Sequence, residues 1–68
     1  MRLQTGQCYV LWSEQIVKLC ERLDETRWVA VFWDRAEGLW SVSVYAIDEH
    51  LINSSVTDPQ QLAQRHTG

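Results

Sequence analysis

The chain has no long hydrophobic run. No segment approaches the roughly 18 consecutive apolar residues that a membrane helix needs. Its opening Met-Arg-Leu-Gln-Thr-Gly lacks the apolar centre of a signal peptide. Both absences set the expectation of a cytoplasmic protein without a membrane span. Cysteine is scarce as well. Cys8 and Cys20 are not spaced Cys-x-x-Cys, so they read as reduced thiols packing like small hydrophobes. Cys8, Cys20, His50 and His66 are the right residue types for zinc, but their spacing matches no finger or ribbon, and no metal site is expected. The glycines, Gly6, Gly38 and Gly68, are isolated, so there is no Gly-rich phosphate loop. Basic charge is also thin. Six Lys and Arg face nine Asp and Glu, for a net charge of −3. Affinity for a phosphate backbone comes from concentrated Lys and Arg, so the balance argues against a nucleic-acid binder.

Catalytic groups are equally sparse. Up to Ile52 the one histidine is His50, inside Ala-Ile-Asp-Glu-His-Leu-Ile. Nucleophile, base and orienting acid must converge on one point, and neighbours along a turn do not converge. The paired acids Asp24-Glu25 and Asp48-Glu49 read as solvated turn charges, because a general acid needs burial. No catalytic residue and no cofactor is expected.

What the chain does have is tryptophan. Trp12, Trp28, Trp33 and Trp40 stand among only 68 residues. A domain this small buries only about 60% of its unfolded surface, so its core holds few large rings. Some indoles are therefore expected at the surface, where Trp and Tyr are the usual anchors of interfaces.

Composition changes near Asn53. Residues 1–52 are apolar and aromatic and read as one small domain. Residues 53–68 are polar, contain the only proline, Pro59, and read as a flexible tail. A short helix, with Asp58 as N-cap and Pro59 as first residue, is the alternative for that tail.

Within the domain, Gln7–Trp12 and Arg27–Trp33 read as strands, the second rich in β-branched and aromatic residues. Leu39–Tyr45 alternates with period 2. This places Trp40, Val42 and Val44 in the core and Leu39, Ser41, Ser43 and Tyr45 on the other face. Asp34–Gly38 joins these two strands as a hairpin loop. Ser13–Glu25 admits two readings. As a helix at 14–24, it presents Ile16, Val17, Leu19, Cys20 and Leu23 as one stripe, with Ser13 as N-cap. As a strand, it points Val17, Leu19 and Leu23 inward, with Glu21 a misfit, and turns at Asp24–Thr26 straight into Trp28. The short connections favour the strand. A turn at Ala46–Asp48 and a last strand at His50–Ile52 complete the order.

The expected fold is all-β: an SH3-like small barrel of about five short antiparallel strands over residues 6–52, with a helix at 14–24 as the α+β alternative. Within that class, Glu14-Gln-Ile-Val17 and Val42-Ser-Val-Tyr-Ala46 resemble, in spacing, strands of the type II dihydrofolate reductases. Those are tetrameric SH3-like barrels with a Val-Gln-Ile-Tyr strand lining a central pore. Ser43 stands where that family has glutamine, and its substrate-binding lysine has no counterpart, so the resemblance implies architecture and not catalysis.

On Arg27–Trp33, residues Trp28, Ala30 and Phe32 face one way and Val29, Val31 and Trp33 the other. Neither face is polar, and such a strand is either sandwiched or part of an interface. The expected contact patch is Trp33, Leu39 and Tyr45, with Tyr9 or Trp12 nearby. The function expected from it is a small non-enzymatic module binding a protein partner, or a second copy of itself, through exposed aromatics. Two alternatives come from other classes. One is single-stranded nucleic-acid binding, with Trp and Tyr stacking on bases and Arg22, Arg27 and Arg35 supplying charge. The other is an oligomeric enzyme with a site between subunits. A small cationic ligand held among the rings is a further reading.

Overall fold

A computed structural model describes the backbone of residues 2–66 and the side chains of residues 2–62. The elements run β1 (Cys8–Leu11), β2 (Ile16–Arg22), β3 (Arg27–Asp34), β4 (Leu39–Trp40), β5 (Tyr45–Asp48), one 3-10 turn (Glu49–Leu51), β6 (Ile52–Val56) and α1 (Pro59–His66). Every pairing is antiparallel. The strand path is β4-β3-β2-β1-β6, with β5 also paired to β3. Since β4 and β5 both pair with β3 and lie end to end along it, they share one place in the sheet, and this is the five-strand order of an SH3-like small barrel. The last strand follows a 3-10 turn and returns to the first.

The segment with two readings is the strand β2. Local chemistry at both of its ends ends the helical option. Glu14 takes φ +73°, and Leu11 N–H donates to Gln15 C=O at 2.8 Å, which closes a tight β1–β2 turn. At the other end Asp24 Oδ1 accepts from the backbone N–H of Thr26 (2.9 Å) and of Arg27 (2.8 Å), fixing the β2–β3 turn. The misfit at Glu21 has a physical origin. Leu19 lies opposite Ala30 but Glu21 lies opposite Val29, so Cys20 is the extra residue of a β-bulge. The bulge shifts the side-chain phase by one. Val17 and Leu19 stay inside, while Cys20, Glu21 and Leu23 are exposed.

Several expectations are corrected. Leu39–Tyr45 is not one strand. Ser41 Oγ accepts from Phe32 N–H at 3.0 Å and donates to Ser43 C=O at 2.8 Å. This side chain stands in for a ladder bond and bends the chain at Val42-Ser43. Val42 is therefore fully exposed (102%), Val44 is exposed and Trp40 is half-buried, where a core was expected. The stretch likened to a pore-lining strand is bent in its first half. The core residue from this part of the chain is Ile47, in β5, where a turn was expected.

The last strand also lies later than expected. His50 sits in the 3-10 turn, and Ile52–Val56 pairs with β1, so the sheet ends at Val56 and not at Ile52. Ser54 and Ser55 are exposed and join the ladder opposite Val10 and Tyr9, and exposed Asn53 is the extra residue of a bulge, none of which polar composition reveals. Beyond them Asp58 Oδ1 accepts from Gln60 N–H at 2.9 Å and caps α1, as the alternative reading of the tail had it.

The core is Tyr9, Leu11, Val17, Leu19, Trp28, Ala30, Ile47 and Ile52, with Leu3 and Phe32 packed against it. Burying these side chains supplies most of the driving force for folding.

Candidate docking groove

Strand β3 carries the site. Its far end pairs Trp33 with Trp40 and Asp34 with Leu39 across the β3–β4 hairpin. The loop is built by Asp34. Its Oδ1 accepts from Ala36 N–H (2.9 Å) and Glu37 N–H (3.1 Å), and its carbonyl accepts from Gly38 N–H (2.8 Å). Gly38 sits at φ +68°, a conformation glycine adopts without side-chain cost. Cross-strand pairing brings the Trp33 and Trp40 rings to 5.1 Å at 65°, while Phe32 and Tyr45 meet edge-on at 5.4 Å. Both are favourable aromatic geometries.

Between these pairs and the bend at Val42 lies an open groove of about 830 Å³. Phe32, Trp33, Trp40, Tyr45, Leu39 and Val42 give it apolar walls, and Asp34, Arg35, Glu37, Gln15 and Ser41 also line it. Of the expected contact residues, Trp33, Leu39 (59% exposed) and Tyr45 (50%) converge here. Trp12 is 66% exposed but does not line the groove. It stands on the adjoining β1–β2 turn, which Arg35 ties to the groove loop by donating from an Nη to Glu14 C=O at 3.2 Å. Tyr9 is a correction. It is 2% exposed, in the core, and its hydroxyl oxygen accepts from Gln4 N–H at 3.0 Å.

Phe32, Trp40 and Val42 were missed as groove residues. Period-2 alternation assigned Trp40 and Val42 to the core. The signal against that assignment was Ser41, whose hydroxyl competes for backbone groups.

The electrostatics around the groove are specific. Lys18 Nζ lies 5.1 Å from the Trp40 ring centroid and 3.0 Å from Asp58 Oδ2, so one ammonium bridges the groove wall and the cap of α1. Burial works to raise the Asp58 pKa, but the Lys18 bond and the Gln60 N–H outweigh it and hold the carboxyl below its usual value. Trp40 Nε1 is buried without a partner among the described residues, as is Trp28 Nε1 in the core. Each such orphan donor costs about 1–3 kcal/mol.

Other reactive groups stand apart. Cys8 is buried beside a small cavity of about 210 Å³ lined by Gly6, Val56, Asp58 and Gln61. Burial, reinforced by the Asp58 charge and opposed by Lys18, pushes its thiol up, away from a reactive thiolate. His50 Nδ1 lies 2.7 Å from Asp48 Oδ1, and the same oxygen accepts from His50 N–H at 3.4 Å. The pair caps the 3-10 turn. Neither hydroxyl nor thiol is hydrogen-bonded to the ring among the described residues. No three His, Cys, Asp or Glu side chains gather as metal ligands among the described residues. No helix among them is long and apolar enough to cross a membrane.

No protein-family model, curated protein or solved structure matches this chain.

Proposed function

We propose that the chain is a non-enzymatic interaction module that docks an extended segment of a partner protein in the β3–β4 groove. The carrying observation is the gathering of Phe32, Trp33, Trp40 and Tyr45, with exposed Leu39 and Val42, around one open groove. Such walls suit an extended peptide, which offers apolar side chains to aromatic slots. The walls rest on the β3 ladder and two ring–ring contacts, so the site is largely formed before a ligand arrives.

The arginines on which the nucleic-acid reading relies are engaged inside the chain. Arg27 pairs with Asp24 at 2.7 Å, Arg22 lies 3.7 Å from Glu49 and stacks on Trp28, and Arg35 bonds Glu14 C=O. This favours a protein partner over a phosphate backbone. The free thiols Cys8 and Cys20 suit a reducing, cytoplasmic setting.

The test is selection from a random twelve-residue peptide library, followed by amide NMR titration of the winners. The reading expects shifts concentrated at Trp33, Leu39, Trp40 and Tyr45. It also expects at least tenfold weaker binding by Trp33→Ala and Tyr45→Ala variants that keep a folded spectrum. Peptides that bind elsewhere would refute it. So would groove signals that move only with protein concentration, which would give the face to a second copy of the chain.

A further inference from the structure

Resting on that reading, we propose that the docked segment enters the groove with a cation: an arginine, or a lysine free or N-methylated, set among apolar neighbours. Four aromatic rings line one groove, and their faces attract positive charge. Two exposed carboxylates, Asp34 and Glu37, stand at its rim, and neither forms an ion pair among the described residues. Asp34 commits Oδ1 to its own loop, with Oδ2 outside those bonds.

The base that lines the groove, Arg35, is drawn toward the β1–β2 turn by its bond to Glu14 C=O. Lys18 already places an ammonium over Trp40, so this wall accepts a cation within the molecule itself. Its charge is answered by Asp58 at 3.0 Å, which limits its repulsion of an incoming cation. A wholly apolar occupant would strip water from Asp34 and Glu37 without replacing it, and an acidic one would meet both charges. A cation on an apolar segment satisfies the rings and the rim together. The net charge of −3 steers it in the same direction.

The experiment uses the full chain, isotope-labelled, and five peptides of sequence acetyl-Ala-Pro-Leu-X-Leu-Pro-Ala-amide. X is arginine, trimethyllysine, lysine, norleucine or glutamate. The cationic peptides are expected to shift Trp33 and Tyr45 and to bind at least tenfold tighter than norleucine, with glutamate weakest. Trimethyllysine above lysine identifies a cage of ring faces, and arginine above both identifies stacking with the rim carboxylates. In the double variant Asp34→Asn/Glu37→Gln the cation's advantage should shrink to about twofold. Asparagine keeps the oxygen that accepts from Ala36 and Glu37, so the loop survives. Norleucine binding as tightly as arginine at the groove overturns the cation while docking stands. No shift from any of the five overturns the cation as well, and a library that also yields no groove binder removes the docking reading beneath it.

Discussion

Glu14 holds φ at +73°, where a side chain clashes with its own backbone and glycine does not. Relief of that strain exceeds the extra chain entropy a glycine adds, so Glu14→Gly should stabilise the fold by on the order of 1 kcal/mol. A higher urea midpoint is the expected reading, and a lower one would show that the side chain supports the turn. The bond from Arg35 goes to the Glu14 backbone and survives the change. The two tyrosines make the opposite point about single residues. Tyr9 and Tyr45 are alike in sequence, each beside a valine or an alanine, yet one is core and the other half-exposed on the groove. Tyr9→Phe leaves Gln4 N–H without its acceptor and should cost about 1 kcal/mol. Peptide affinity at the groove should stay within twofold of the parent in the same variant. A large affinity loss with unchanged stability would return Tyr9 to the contact surface. Which tyrosine faces out depends on register, of Tyr9 against β2 and β6 and of Tyr45 against β3, and that is set by pairing, not by local composition.

Elements explain where patterning succeeds and where it stops. Arg27–Asp34 is legible because β-branched and aromatic residues crowd it and turn chemistry flanks it. β2 is legible only through its turns, since its bulge at Cys20 breaks the alternation that marks a strand. β6 is hidden because an edge strand with solvated side chains needs only backbone partners, and Asn53-Ser-Ser55 supplies no apolar signal. Two of the junctions rest on carboxylates, and this gives a pH dependence. Arg27's side-chain bond, with the Thr26 N–H, lowers the Asp24 pKa to about 2. Asp58, capping α1 and paired with Lys18, is also held low. A carboxyl whose pKa falls on folding stabilises the fold above its unfolded value near 4 and loses that contribution as pH falls through the folded value. The urea midpoint should therefore decline between about pH 4 and pH 2. Asp24→Asn combined with Asp58→Asn should flatten the decline, and a decline unchanged in that variant would place the acid-sensitive groups elsewhere. The Asp24 share should shrink in high salt, since its pair with Arg27 is exposed.

At the scale of the whole molecule, a small core supports several large apolar side chains left exposed. Trp12, Leu39, Val42, Val44 and Tyr45 are all exposed while the core rests on a handful of side chains, among them Leu19, Val17 and Trp28. The presence of more rings than one small core holds was readable from composition. The groove itself was not, because it arises where a serine side chain bends a strand and turns Val42 and Tyr45 to the same opening as Trp33. A domain of this size has little stability to spare, so anything that binds the folded state alone raises its melting temperature. Peptide at a hundred times its Kd contributes about 2.7 kcal/mol, which for a domain of 60–100 residues corresponds to roughly 10–20 °C. Leu39→Ala and Tyr45→Ala change exposed groove positions and should leave the ligand-free melting temperature within a few degrees of the parent. Both variants should lose most of the peptide-induced rise, whereas Trp12→Ala, outside the groove lining, should keep it. A rise that survives Leu39→Ala and Tyr45→Ala but vanishes with Trp12→Ala would move the docking surface to the β1–β2 turn.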